Sequence, residues 1–102
     1  MSRYTVYVTP AALKEIKSLP GNMRQRARKA VDALAENPRA PKSKHLEIPT
    51  VDAEVRRLRL DRWRIVYAIT EAELIVDVLA IRKRPPYDYG DLEALLKDFP
   101  LK

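Results

Sequence analysis

The sequence predicts an α+β fold, in which an antiparallel β-sheet carries two N-terminal helices on one face and a short helix follows at the C-terminal end. Two observations support this prediction. Near the start of the chain, a short strand pattern leads directly into two helical patterns of apolar residues. Later, three strand patterns are separated by connections of only two residues, which allow hairpins between antiparallel neighbours. The predicted order is β-α-α-β-β-β-(α), within one domain that spans residues 1–102.

The N-terminal third is expected to form one strand and two helices. Residues 3–8 are mostly β-branched or aromatic, which is typical of a strand. Thr9 suits a helix N-cap and Pro10 suits the first helical position, so the first helix is predicted over residues 10–18. Apolar residues then recur at helical spacing across residues 23–36, and a proline soon after this range ends the second helix.

The rest of the chain is expected to supply most of the sheet. Residues 38–53 contain three prolines and are predicted to form an irregular loop. Strands are predicted over residues 54–60, 63–70 and 73–81. The last of them is almost continuously apolar, which is typical of a central strand. A short helix is expected over residues 91–99.

Arginine and leucine alternate along the first of these three strands. Side chains of a strand point alternately to its two faces, so Leu58 and Leu60 are expected in the core. Arg57 and Arg59 are then expected to lie together on the opposite face. Residues 55–64 hold five arginines and one acidic residue. One face of the sheet is therefore expected to be covered by helices, and the other to display arginine side chains.

The charge of the chain makes it a candidate for binding a polyanion, and the alternative is a solvated surface of mixed charge. The formal net charge is +6, and the basic residues are concentrated at residues 55–64 and 82–84, whereas residues 88–98 carry four acidic residues and one lysine. The absence of cysteine excludes disulfides and thiolate chemistry. We see no leader peptide and no apolar run close to the ~20 residues that span a bilayer, so a soluble, cytoplasmic protein without membrane association is expected.

Four segments together form a recognisable pattern. The most specific is residues 58–67, which read Leu-Arg, then three residues, then Trp-Arg-Ile-Val-Tyr. Residues 7–16, the segment Asn37-Pro38-Arg39 and a basic cluster followed by tyrosine near the C-terminal end extend the pattern. Along essentially its whole length, the chain resembles toxins of the RelE/ParE superfamily of type II toxin–antitoxin systems.

The resemblance implies a function and a set of partners. RelE-like toxins are endoribonucleases that cleave messenger RNA, usually in the decoding site of the ribosome, and they inhibit translation without a metal or a cofactor. ParE-like toxins of similar fold instead inhibit DNA gyrase. Both kinds are neutralised by a cognate antitoxin protein. The expected partners are therefore an antitoxin together with messenger RNA on the ribosome, or an antitoxin together with DNA gyrase.

The resemblance also implies the residues of the site. The positions that match catalytic residues of RelE-like toxins are Arg57, Arg64, Arg84 and Tyr87, with Lys83 as the alternative to Arg84. The residues expected to bind RNA beside them are Arg59, Lys83, Arg82 and Tyr89. Tyr89 would take the place of Tyr87 if the two prolines before Tyr87 shift the register.

One of these positions departs from the family pattern. Arg57 stands where RelE-like toxins carry a lysine that can act as a base. An arginine stays protonated and is a poor base, although its guanidinium binds a phosphate through two parallel hydrogen bonds. Lys83 or an ionised tyrosine would then have to accept the proton.

Other functions remain open from the sequence. The chain could be a ParE-like inhibitor of gyrase without catalysis, which the missing lysine favours. It could also be a basic module that has lost toxicity and only titrates an antitoxin. The C-terminal segment, residues 91–102, which contains Asp91, Glu93 and Asp98, could lie over the basic face and limit access to RNA.

Several residues also have a structural interpretation. Arg64 could pair with Asp77 or with an acidic residue of the C-terminal segment. Tyr87 and Tyr89 could stack on bases, or could pack against the C-terminal helix. His45 could act as an acid–base group, but a histidine in such a loop is more often a surface or packing residue.

Overall fold

A five-stranded mixed β-sheet with two helices on one face forms the part of the chain that the computed structural model describes, residues 3–46 and 53–83. Its elements are β1 (Thr5–Val8), α1 (Pro10–Lys17), α2 (Gly21–Ala33), β2 (Ser43–Leu46), β3 (Glu54–Leu60), β4 (Trp63–Thr70), a 3₁₀ turn (Glu71–Glu73) and β5 (Ile75–Lys83). The strand order across the sheet is β1-β5-β4-β3-β2. The α+β class and the placement of both helices on one face are confirmed.

The pairing of the strands differs from the expectation in two ways. β3, β4 and β5 are antiparallel neighbours as predicted, but β1 pairs parallel with β5, so the sheet is mixed. Within the predicted loop of residues 38–53, residues 43–46 form β2, which pairs antiparallel with β3. The connection between β4 and β5 is also longer than a two-residue hairpin, because a 3₁₀ turn and Leu74 in the left-handed conformation (φ 55°) precede β5.

Both helices begin close to their predicted starts, for different reasons. Thr9 is the N-cap of α1, and its hydroxyl accepts a hydrogen bond from the backbone N–H of Ala12. The same hydroxyl donates to the backbone carbonyl of Val78, which ties the start of α1 to β5. α2 begins at Gly21, directly after Pro20, and has no side-chain cap.

The main core lies between the helices and the sheet. Tyr67 of β4 is fully buried there, and its hydroxyl donates a hydrogen bond to the backbone carbonyl of Pro38. This bond fixes the chain just after α2 to the middle of the sheet. The buried residues around Tyr67 include Ala12, Ile16, Met23, Ala27, Val31, Ile65, Val76, Val78 and Ile81.

A second, smaller apolar cluster lies on the face of the sheet away from α1 and α2, which we call the open face. It consists of Val55, Val66, Ala68, Leu79 and Ala80. Two consecutive residues of β5 belong to it because the register between β4 and β5 shifts by one residue at Val66/Tyr67. A bulge of this kind changes the phase of the alternation. Ile81 therefore packs against the helices, and the residue after it returns to the open face.

Neither helix among the described residues is long and apolar enough to cross a membrane. The helix predicted over residues 91–99 lies outside the residues that the structure describes.

The contacts of Thr9 give the first prediction. Thr9→Val keeps the shape of the side chain but removes the hydrogen bonds to Ala12 and Val78, so the free energy of unfolding should fall by about 1–2 kcal/mol. Equilibrium urea unfolding measures this change. Thr5→Val is the matched control, because Thr5 is an exposed residue of β1, the strand that ends just before Thr9. Equal stability of the two variants would contradict the tie between α1 and β5.

Candidate nucleic-acid interface

The alternation of β3 divides its side chains between the two faces as predicted. Leu58 is buried in the main core and Leu60 packs against it. Val55 lies in the cluster on the open face, so Arg57 and Arg59, which share its phase, also lie on the open face. The strand therefore contributes apolar side chains to the core and cationic side chains to a surface that no described helix covers.

The register of the hairpin places arginines side by side across the sheet. Arg59 of β3 pairs directly with Arg64 of β4, and Arg64 pairs directly with Arg82 of β5. Residues that are directly opposite in an antiparallel pair share a face, with Cβ atoms roughly 5 Å apart. Three arginines thus form one row on the open face, an arrangement that is unfavourable unless other groups compensate for the repulsion.

Arg64 is held at the centre of this row by backbone groups. It is 5% exposed, and its Nη1 donates hydrogen bonds to the backbone carbonyls of Asp61 (3.1 Å) and Trp63 (3.0 Å). Asp61 adopts the left-handed conformation (φ 59°) in the two-residue turn between β3 and β4. This conformation favours asparagine and aspartate over most residues, because their side chains bond locally. The turn therefore sets both the register of the hairpin and the position of Arg64.

The cationic side chains surround a groove of about 750 Å³. We call it the cationic groove, and its lining residues are Pro41, Lys42, Lys44, Arg57, Arg59, Asp61 and Arg64. Five of these seven residues are cationic and one is acidic. The carboxylate of that acid, Asp61, lies 3.6 Å from a guanidinium nitrogen of Arg26 on α2. The groove therefore carries a local excess of positive charge.

Two lysines of the groove were missed by the sequence analysis. Lys44 lies on β2 directly opposite Arg57, and the backbone carbonyl of Lys42 accepts a hydrogen bond from the backbone N–H of Arg59. Their signal in the sequence is a short alternation of Lys42, Lys44 and Leu46, which the surrounding prolines obscured. β2 and the two residues Pro41 and Lys42 before it thus supply one wall of the groove, and β3 with the start of β4 supplies the other.

Most arginines elsewhere in the described chain have carboxylate partners, but four groove cations do not. Arg56, on the other face of β3, forms an ion pair with Glu54. The Nε of Arg82 lies 3.3 Å from a carboxylate oxygen of Glu15 on α1. Within residues 3–46 and 53–83, no carboxylate forms an ion pair with any of the groove residues Lys42, Lys44, Arg57 and Arg59.

The remaining residues of the predicted site lie at or beyond the end of β5. Arg82 has the same phase as Arg64, but its guanidinium turns towards α1, where its Nε lies 3.3 Å from the carboxylate of Glu15. Lys83 is exposed and pairs with Trp63, which packs against the main core, so Lys83 has the opposite phase from Arg82. The other predicted site residues, Arg84, Tyr87 and Tyr89, lie outside the described residues, as does the acidic segment 91–102.

His45 and Trp63 do not face the groove. His45 lies on β2 opposite Arg56 and alternates with Lys44, so it belongs to the helix-side face. Trp63 is partly buried against the main core. Across residues 3–46 and 53–83, no three histidine, aspartate or glutamate side chains come together as metal ligands.

The proposed pairing of Arg64 with Asp77 is wrong. Arg64 lies opposite Arg82, whereas Asp77 lies five residues earlier on β5, opposite Ala68. Asp77 is 6% exposed on the open face. Burial raises the pKa of this carboxyl to about 6, and the negative charge of Glu73 adds to the rise. The surroundings of Asp77 therefore disfavour its charged form instead of neutralising it with a cation.

Comparisons with known proteins identify the family of the chain. A family model described as the ParE toxin of type II toxin–antitoxin systems, parDE, matches residues 6–85. A RelE-like toxin protein of Escherichia coli is 32% identical over 90 residues, which cover 88% of this chain and 93% of that protein.

The chain belongs to the RelE/ParE toxin superfamily.

Solved structures of the superfamily share the fold of this member. The archaeal RelE–RelB complex from Pyrococcus horikoshii OT3 contains a chain that matches with a TM-score of 0.72 and 25% identity, covering 83% of this chain and 99% of that one. In the intact RelBE toxin–antitoxin complex of Escherichia coli, the matching chain gives a TM-score of 0.62 and 28% identity, covering 78% and 95%. Both neighbours are toxin–antitoxin complexes.

The buried carboxyl of this RelE/ParE superfamily member gives a prediction for the pH dependence of stability. Because the pKa of Asp77 is raised to about 6, the folded state binds a proton that the unfolded chain releases. The free energy of unfolding should therefore be higher at about pH 5 than at about pH 7, with the loss occurring as the pH rises through about 6. Asp77→Asn should flatten this profile and stabilise the protein at neutral pH by ~1–3 kcal/mol.

Urea unfolding between about pH 5 and about pH 7 tests this prediction, because the carboxylates of Glu54 and Glu71 titrate at lower pH. Hydrogen bonds from Arg39 to Glu54, and from Tyr4 to Glu71, lower the pKa of these two groups below the usual 4.5. Their contribution is present above that value and is lost only at lower pH. A stability that rises with pH in the wild-type protein over this range would contradict the assignment to Asp77.

Proposed function

We propose that this toxin is an endoribonuclease that cleaves messenger RNA at the open face of its sheet and is neutralised by a cognate antitoxin. The observation that carries the proposal is the cationic groove, in which Lys42, Lys44, Arg57 and Arg59 converge without ion-pair partners among the described residues. Cations that are left unneutralised on neighbouring strands repel one another. A phosphodiester bound between them would relieve this repulsion.

The residue types in the groove suit a phosphate ligand. Guanidinium groups form paired, charge-assisted hydrogen bonds with phosphate oxygens, and Arg57 and Arg59 present two of them on adjacent positions of one face. The backbone contacts of Arg64 leave its guanidinium fixed in direction at the base of the groove. Such preorganised cations stabilise the extra negative charge that develops on the non-bridging phosphate oxygens during cleavage.

The reaction we propose needs a base that Arg57 cannot provide. In cleavage through the 2′-hydroxyl, a base takes the hydroxyl proton, the 2′-oxygen bonds to phosphorus, and the bond from phosphorus to the 5′-oxygen breaks. The departing 5′-oxygen must then receive a proton. Lys44, directly opposite Arg57 in the same groove, is our candidate for the base. Tyr87, by the resemblance alone, is our candidate for the acid.

The antitoxin is the expected protein partner. The related RelE toxins were solved in complex with RelB. On this chain, the open face combines the cationic groove with the apolar cluster around Val66, and Leu46 packs against that cluster beside Lys44. An antitoxin segment with both acidic and apolar side chains would match this surface, and its association should weaken with salt.

A second candidate function is inhibition of DNA gyrase without catalysis. The match to the ParE family model and the arginine at position 57 favour it. Induction of the toxin in cells, followed by parallel measurement of messenger RNA breaks and plasmid supercoiling, separates the two functions. Growth arrest with intact messenger RNA and altered supercoiling would overturn cleavage. RNA breaks that disappear in Tyr87→Phe would support it.

Binding of RNA by the groove predicts a difference between two neighbouring arginines. Arg59 lines the groove, whereas Arg62 is an exposed turn residue that does not. Arg59→Gln should weaken the binding of a short single-stranded RNA. It should also make the negative slope of log K against log salt less steep by about 0.7, the value for one phosphate contact. Arg62→Gln removes the same charge and should leave the slope nearly unchanged. Equal effects on fluorescence anisotropy titrations would show general electrostatic attraction instead of a site.

A base at Lys44 predicts a separation of binding from cleavage. Lys44→Arg keeps the positive charge but removes the titratable amine, so RNA affinity should be retained while the single-turnover cleavage rate falls ~100-fold or more. Lys42→Arg is the matched control and should cleave at close to the wild-type rate. Unchanged cleavage by Lys44→Arg would show that another group accepts the proton.

A further inference from the structure

The loop between α2 and β2 is held by a network of charged side chains on the helix-side face, which we call the Arg39 network. Arg39 donates from Nε and Nη2 to the carboxylate of Glu54, with distances of 3.1 and 2.8 Å. Its Nη2 also donates to Glu71 at 3.1 Å, and its Nη1 donates to the hydroxyl of Tyr4 at 3.4 Å. Tyr4 in turn donates to Glu71 at 2.8 Å. One guanidinium thus joins the loop to β3, to the turn before β5 and to the residue before β1.

Glu54 extends this network to β2. Its second carboxylate oxygen accepts a hydrogen bond from Arg56 Nη1 at 3.0 Å. Arg56 then donates from Nε to the hydroxyl of Ser43 at 3.1 Å, and from Nη2 to the carbonyl of Ser43 at 3.4 Å. The hydrogen bonds from Arg39 are the main cause that lowers the pKa of Glu54, so this carboxylate stays ionised between the two arginines at neutral pH.

Ser43 is the point at which the network meets the groove. It is 7% exposed, and it lies between Lys42 and Lys44, whose side chains line the groove on the opposite face of β2. β2 is only four residues long, lies at one edge of the sheet and pairs with β3 alone. A short edge strand with one neighbour frays easily unless other contacts hold it. The hydrogen bonds from Arg56 to Ser43 are such contacts.

We propose that Arg39, Glu54 and Arg56 are positioning residues, which hold β2 in place so that Lys42 and Lys44 form a fixed wall of the RNA-binding groove. This inference rests on the proposed function for its consequence, the affinity for RNA, but not for its structural part, the order of β2. The network lies on the face opposite to the groove, so its residues act on the ligand only through the two lysines.

Two variants test the network with different changes in charge. Glu54→Gln removes one negative charge, so it raises the net charge by one. Arg39→Lys keeps the charge but replaces the guanidinium, which bonds two carboxylates, by a single ammonium group. Both should weaken the binding of single-stranded RNA roughly three- to tenfold, through loss of the fixed lysine wall. For Glu54→Gln this direction is opposite to that expected from net charge. Glu73→Gln is the matched control, and should bind RNA as tightly as the wild-type protein or slightly more tightly.

A double-mutant cycle distinguishes positioning from a general loss of stability. In a Lys42→Ala/Lys44→Ala background, Glu54→Gln and Arg39→Lys should have no further effect on RNA affinity, because the wall on which they act is already absent. A loss of affinity that persists in this background would overturn the proposal.

Hydrogen exchange of the backbone amides of residues 43–46 provides a second readout that does not require RNA. Exchange there should become at least about tenfold faster in both variants, while the amides of β4 and β5 keep their protection. Unchanged exchange at residues 43–46 would overturn the proposal, as would faster exchange with wild-type RNA affinity. If the wild-type protein binds no RNA, the proposed function fails, while the exchange data still decide whether the network holds β2.

Discussion

The register between β3 and β4 is the constraint on which the rest of this structure depends. It places Arg59 beside Arg64 on the open face, and Leu58 beside Ile65 in the main core. A slip of one residue would move every side chain of a strand to the opposite face, which would bury the arginines and expose the leucines. The left-handed turn at Asp61 prevents such a slip and also supplies a carbonyl that holds Arg64. Fold and site are therefore set by the same hairpin.

The two faces of the sheet differ in whether arginine side chains have carboxylate partners among the described residues. On the helix side, Arg39 and Arg56 share the carboxylate of Glu54, and these groups hold the loop and β2 in place. On the open face, Arg57 and Arg59 stand beside each other on β3 with no carboxylate partner among the residues that the structure describes. A cluster of like charges is unfavourable for folding. We propose that a bound anion offsets this cost.

The sequence predicted the features that depend on local patterns. The alternation of β3 correctly separated Leu58 from Arg57, and the Thr9-Pro10 pair correctly marked the start of α1. Features that depend on distant pairing were not visible. The parallel contact of β1 with β5 joins segments about 70 residues apart and has no local signal. β2 was missed because four residues between prolines offer too little alternation, and the lysines of the groove were missed with it.

We propose that one surface, the cationic groove, recognises RNA. The most direct test is to map the binding of a short 2′-O-methyl RNA, which resists cleavage through the 2′-hydroxyl, by changes in the backbone amide NMR signals. We expect the largest changes at residues 42–44, 57–59 and 64. Changes confined to α1 and α2, or no saturable changes at low salt, would contradict it.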